Sequence, residues 1–101
     1  MDKKTSKYLD LLNKNEEILL NFLRAKFPIF HNSNFFFRDL QYGIKNFLEK
    51  KDIFVSYKQA DELAIEIAKH FENKQIFTKI NEKAWTVKYP EFATTEPGDP
   101  F

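Results

Sequence analysis

The stretch that most constrains this chain is Ser56 to Tyr89, SYKQADELAIEIAKHFENKQIFTKINEKAWTVKY, where the apolar spacing switches from helical to extended. Ser56 and Gln59, three apart, have the pattern of a capping box, and Val55 and Ala60 are placed for a hydrophobic staple. Ala60, Leu63, Ala64, Ile67, Ala68 and Phe71 then recur on one helical face, opposite Asp61, Glu62, Glu66, Lys69 and Asn73. After Asn73-Lys74 the period becomes two: Ile76, Thr78 and Ile80 alternate with Phe77 and Lys79, and Trp85, Val87 and Tyr89 alternate with Thr86 and Lys88. Asn81-Glu82-Lys83 supplies the turn between two strands. No Asn-Gly pair is present for a tight two-residue turn, so a longer or bulged one is expected.

Upstream, residues 4–27 read as helix, with a stripe of Tyr8, Leu11, Leu12, Leu19, Phe22 and Leu23. The polar run Asn13 to Glu17 interrupts that stripe. Asn13 and Glu16 have capping-box spacing, so the segment is either one helix or two with a break near residue 13. Pro28 ends it. Residues 28–34 form a connector in which Ile29 and Phe30 can make a short strand against the later hairpin. A further helix follows the Asn32-Ser33-Asn34 cluster, with Phe36, Phe37, Leu40, Ile44, Phe47 and Leu48 on one face up to Lys51. Gly43 inside it costs about 1 kcal/mol against alanine and marks close packing. Residues 52–55 are an extended link, and 90–101 read as a disordered Pro-rich tail with Phe92 as its anchor.

The fold class expected is α+β and mainly helical, with three to four helices followed by a C-terminal two-stranded β-hairpin, all within one domain at residues 1–89. The expected core is Leu19, Phe22, Leu23, Phe37, Leu40, Ile44, Phe47, Leu63, Ile67, Phe71, Ile76 or Phe77, Ile80, Trp85 and Val87. One modest core is what 101 residues can build, and the twelve Phe supply large burial per residue. With no Cys there is no disulfide framework, zinc knuckle or thiol nucleophile. The first residues are too polar for a signal peptide, and no apolar run approaches membrane-spanning length. The expectation is a cytoplasmic protein without a membrane span.

Catalysis needs a positioned base, nucleophile or metal. His31 and His70 are the only histidines. Glu66 and His70 share a helix face and read as a solvated pair, since two ligands do not make a metal site. Asp61, Glu62 and Glu66 read as a charged outer face rather than as paired catalytic carboxylates. Gly43 and Gly98 are the only glycines, so no phosphate-cradling loop exists. No enzyme activity, metal, cofactor or small-molecule substrate is expected.

Two apolar features do not fit one core. A helix cannot bury three consecutive side chains on one stripe, so one of Phe35, Phe36 and Phe37, in the first instance Phe35, either meets a partner or packs under the N-terminal helix. Leu9, Leu12, Leu19, Leu20 and Leu23 likewise spread over more than one stripe. Tyr8, Leu9, Leu12 and Leu20 are therefore expected to be covered by a second copy or another protein, unless residues 4–13 fold back over them.

Helix, short strand, helix, helix, hairpin is the order of winged-helix domains, and residues 36–89 resemble the DEP domain within that superfamily. Phe47-Leu48, Ser56, Ala64, Ile67, Phe71, Phe77 and Ile80 stand where its pattern has apolar or capping residues. Phe47 replaces the usual Trp, and Gln75 stands where a Gly is expected before the first hairpin strand. Domains that resemble this bind DNA, proteins or membrane surfaces. Charge helps to choose. The net charge is +1, but residues 51–73 carry three Lys against five acids, −2, and residues 74–89 carry four Lys against one acid, +3. A DNA reader puts its last helix against phosphates, where Asp61, Glu62 and Glu66 are penalised. No Arg follows Arg38, so the commonest base-reading side chain is missing from helix and wing. The expected function is a protein-interaction module that uses Tyr8, Leu9, Leu12, Leu20, Phe35, Asp61, Glu62 and Glu66. The alternative is a DNA-binding regulator that uses Lys74, Lys79, Lys83 and Lys88 of the wing.

Overall fold

The structure, a computed structural model, describes residues 1–27 and 29–89. Its elements run α1 (Lys3–Lys14), α2 (Glu16–Lys26), β1 (Asn34–Phe36), α3 (Phe37–Glu49), α4 (Tyr57–Asn73), β2 (Phe77–Asn81) and β3 (Ala84–Val87). The class is the expected one, with four helices, but the hairpin gains a third strand. The sheet is antiparallel in the order β1-β3-β2. The tail expected at 90–101 lies outside the described residues.

Local side-chain caps set the starts of α1 and α4. Asp2 caps α1 by accepting from Thr5 N at 2.7 Å. Ser56 and Gln59 form the capping box of α4, at 3.1 and 2.9 Å. The Gln59 amide also donates to Thr5 Oγ1 at 3.2 Å, which ties the start of α1 to the start of α4. The break between α1 and α2 falls at Asn15 rather than near residue 13. The side chain of Asn15 donates back to Leu11 O at 2.8 Å and makes no cap for α2.

The third strand is Asn34–Phe36, not Ile29-Phe30. Phe35 pairs with Trp85 and Phe36 with Ala84, and Asn32 N to Val87 O and Phe37 N to Lys83 O extend the pairing at both ends. A strand turns successive side chains to opposite faces. Phe35 therefore points inward at 2% exposure and Phe36 outward at 50%. The Phe run has a strand's alternation, and helix α3 begins only at its third member.

The same alternation corrects Ile80. Phe77 and Val87 are cross-strand partners, both buried; a register shift follows between Lys79 and Asn81, and Ile80 is half exposed rather than in the core. The turn is closed by Asn81 Oδ1, which accepts from Lys83 N at 2.8 Å. Gln75, before β2, has φ 63°. That is the left-handed region, which costs a non-glycine residue about 1–2 kcal/mol.

Helix α1 packs on α4 and α2 on α3, so the N-terminal leucines serve two neighbours within one chain. Leu12, Leu19, Leu20 and Leu23 are buried, and Tyr8 and Leu9 are half-buried against the same core. The aromatic centre is Phe35, Phe71, Phe77 and Trp85. Phe77 stacks on Trp85 at 5.2 Å and meets Phe71 and Phe35 edge-on at 5.1 and 5.9 Å. Phe22 and Phe37, expected in the core, are partly buried at its margin, against Phe47 and Trp85.

One polar contact fastens the break between α1 and α2 to the far end of α4. Glu16 Oε1 lies 2.7 Å from His70 Nε2, and Glu16 Oε2 accepts from Lys74 at 2.7 Å. Partial burial pushes the Glu16 carboxyl up, but the hydrogen bonds from Lys74 and His70 outweigh it and hold its pKa below 4.5. A carboxylate held low stabilises the fold above its unfolded-state pKa and loses that contribution as pH falls through the folded value. Glu16→Gln is expected to lower stability at neutral pH and to flatten the loss between about pH 5 and 3, as read by urea denaturation across that range. Parallel acid limbs for the two proteins would refute this role.

Candidate interaction surface

The amphipathic stripes of α3 and α4 bury Leu40, Ile44, Phe47 and Leu48 on one helix and Ala60, Leu63, Ala64, Ile67 and Phe71 on the other. Each helix also carries a tyrosine off its stripe. Tyr42 lies on the outer side of α3, and Tyr57 is the first residue of α4. Between the helices, Asp52 turns the chain with φ 61°, and the extended link then buries Val55 and points Phe54 outward. These three aromatics are 51% (Tyr42), 73% (Phe54) and 69% (Tyr57) exposed.

Lys45 gathers Phe54 and Tyr57. Its ammonium donates to Val55 O at 2.8 Å, next to Phe54, and lies 5.2 Å from the centre of the Tyr57 ring. It also sits 3.8 Å from Glu49. Lys26 lies 5.5 Å over the Tyr42 ring. A cation within about 6 Å of a ring face is attracted by the ring quadrupole, so two of the three rings are held in place while their edges stay wet. An aromatic side chain offers roughly 150–250 Å², so the three together expose on the order of 300–400 Å². That is the size of the largest apolar patch on an ordinary monomer, and such patches are often functional.

The surface continues into a cleft of about 470 Å³ lined by Phe36, Phe37, Arg38, Gln41, Asp61 and Lys83. Gln41 joins the two regions, because its amide donates to Tyr57 O at 3.4 Å. Asp61 follows Tyr57 by one helical turn. The cleft thus has an apolar wall from Phe36 and Phe37, and it offers Arg38, Lys83 and Asp61 as charges of both signs.

Of the residues expected to meet a partner protein, Asp61 lines this cleft. Glu62 and Glu66 lie further along α4, and Glu66 is 3.5 Å from Lys69. Leu12, Leu20 and Phe35 are buried, and Tyr8 and Leu9 are half-buried, because pairing of β1 with β3 turns Phe35 inward and α1 packs on α4 while α2 packs on α3. The wing lysines are dispersed. Lys74 is held by Glu16, and Lys88 donates to Asn32 Oδ1 at 2.7 Å. Lys79 sits on edge strand β2, where lysine discourages further strand pairing, and only Lys83 reaches the cleft. His70 pairs with Glu16 rather than Glu66. Among the described residues no group of three His, Cys, Asp or Glu side chains is placed to hold a metal.

Tyr42, Phe54 and Tyr57 were not among the expected site residues. The available signal was their position off every helical stripe: Tyr57 shares its face with Asp61, and Tyr42 falls between Leu40 and Ile44 but off their face. Comparisons with protein-family models, curated proteins and solved structures found no match.

Proposed function

We propose that this chain is a small non-enzymatic protein-binding module of winged-helix type, and that its partner docks on the Tyr42–Phe54–Tyr57 surface and the adjoining cleft. The winged-helix reading is supported by the order α2-β1-α3-α4-β2-β3 with β3 central, and by Gln75 in a glycine-type conformation where the resemblance expects Gly. The binding reading rests on one observation: two off-core aromatics, Phe54 and Tyr57, stand exposed beside Lys45, and a third, Tyr42, stands exposed under Lys26 one turn before Lys45 on α3. Aromatic side chains such as tyrosine and phenylalanine are what interface centres are enriched in. The partner is another protein or a second copy. No described helix is long and apolar enough to cross a membrane, and a cytoplasmic setting suits a chain without cysteine.

The second reading, DNA binding led by the wing, is favoured by Lys83 and Arg38 at one cleft. It is disfavoured by Asp61 in the same cleft and by the engagement of Lys74 and Lys88.

The test is partner capture with immobilised full-length protein. Phe54→Ser with Tyr57→Ser is expected to reduce capture at least about tenfold, which is roughly 1.4 kcal/mol. Substitutions at exposed positions usually change stability by about 0.5 kcal/mol or less, so the melting temperature should hold. Capture undiminished in that variant, but lost in Lys79→Glu with Lys83→Glu, would move the site to the wing.

A further inference from the structure

The cleft of about 470 Å³ forms where the start of α3, the β2–β3 turn and the first turns of α4 meet, and it is lined by Phe36, Phe37, Arg38, Gln41, Asp61 and Lys83. Pockets of about 300–1,000 Å³ are the ordinary size for a site that takes a few side chains or a small ligand. Backbone contacts fix its shape. Phe37 N donates to Lys83 O, and Lys83 N donates to Asn81 Oδ1, both at 2.8 Å. The turn that carries Lys83 is therefore pinned to the start of α3. On the other side, Gln41 donates to Tyr57 O at 3.4 Å, one helical turn before Asp61.

The charges of this cleft have no partner within it. Arg38 and Lys83 are exposed, and Asp61 is partly exposed. Among the described residues none of the three belongs to an ion pair; the pairs are Lys45 with Glu49, Lys69 with Glu66, and Glu16 with His70 and Lys74. Phe36 is 50% exposed, while Phe37 packs on Trp85 at 6.2 Å, so the apolar wall is firm behind and wet in front. Two cations come from α3 and the hairpin turn, and one carboxylate comes from α4. Charges placed this way set the register of a partner more than they add affinity. The complement is a segment that turns an acid to Arg38 and Lys83, an apolar residue to Phe36 and Phe37, and a base to Asp61. A polyanion does not match, because its repeated charge cannot avoid Asp61. A second copy meeting the cleft about a two-fold axis would set one concavity on another and fill neither.

We propose that the cleft takes a short peptide segment of a partner protein in which an acidic, an apolar and a basic residue stand close together, the acid bridging Arg38 and Lys83 and the base meeting Asp61. This assignment rests on the protein-binding reading above and adds the charge pattern of the partner.

A phage-displayed library of random peptides, selected on immobilised full-length protein, tests it. The selected peptides are expected to share the acid, apolar and basic residues. Synthetic copies followed by fluorescence anisotropy should lose at least about tenfold in affinity for Arg38→Glu with Lys83→Glu. Both substituted side chains are exposed, so the fold should persist. A peptide whose acid is replaced by lysine should regain affinity for that double variant, which a merely damaged protein would not allow. Peptides that lose affinity for Phe54→Ser with Tyr57→Ser, but bind Arg38→Glu with Lys83→Glu as tightly as the wild type, would overturn this proposal and leave the protein-binding reading standing. Selection of no peptide, or of peptides indifferent to both double variants, would overturn the two together. A wild-type dimer in sedimentation that Arg38→Glu with Lys83→Glu makes monomeric would give the cleft to a second copy and overturn the proposal as well.

Discussion

Replacing Phe35 with alanine is expected to cost about 3–5 kcal/mol, while the same change at Phe36 should cost less than about 1 kcal/mol. Phe35 is buried between Phe27 and Phe77, at 5.8 and 5.9 Å, and lies opposite Trp85 on the central strand. The other aromatics are locked by their own contacts, with Trp85 Nε1 donating to Glu72 Oε2 at 2.7 Å. The site therefore cannot close over the hole, and the cavity adds to the lost transfer energy. A domain of this size has about 5–15 kcal/mol in total, so Phe35→Ala should unfold over a much lower urea range. The pair of variants reads the register of β1 directly. A slip of one residue would exchange the two faces and reverse the order of the two costs. Equal costs would contradict the inward–outward alternation of the two residues and with it the strand.

Gly43→Ala is expected to destabilise the fold by about 1–3 kcal/mol, although alanine gains about 1 kcal/mol over glycine inside an exposed helix. The two effects oppose each other, and burial decides between them. A Cβ on Gly43 would overlap Leu23 Cδ2 and come within 3.3 Å of Phe27 Cε2. Leu23 is 1% exposed, so its methyl group has nowhere to rotate without displacing the core. The Leu23 side chain, or helix α2 or α3, must shift to admit the methyl group. Thermal melts decide the sign. A gain in melting temperature would mean that α2 and α3 sit further apart than described.

How far the sequence could be read depended on the distance over which each signal acts. The α4 capping box involves residues three apart, and the hairpin strands are joined by a short turn, so α4 was legible with its start and the hairpin to within one or two residues at each end. Gly43 also announced close packing correctly, without saying what approached it. Strand β1 was not legible at Asn34–Phe36, because three residues carry too little alternation and their partner lies some fifty positions away. The run Phe35-Phe36-Phe37 fitted a helix start as well as a strand, and only pairing with Trp85 separates the two. Leu12 and Leu20 looked like an unsatisfied surface because spacing along one helix cannot show that α1 meets α4 while α2 meets α3. Glu66 lies one helical turn before His70, but Glu16, 54 positions from His70, won it in space. At the candidate site, Asp61 was legible as an outward charge on α4. Tyr42, Phe54 and Tyr57 were passed over because attention to the buried stripes treats an off-stripe aromatic as noise.

The protein-binding account is tested most directly against its rival by titrating random duplex DNA with the full-length protein at low salt, followed by fluorescence anisotropy. Non-specific DNA binders show dissociation constants of about 10⁻⁴–10⁻⁶ M even at physiological salt, with affinity falling steeply as salt rises. With Asp61 beside Lys83, Lys74 held by Glu16 and Lys88 held by Asn32, the account predicts no saturable binding tighter than about 10⁻⁴ M. Saturable micromolar binding that weakens steeply with salt, and is lost in Lys79→Glu with Lys83→Glu but not in Phe54→Ser with Tyr57→Ser, would contradict it.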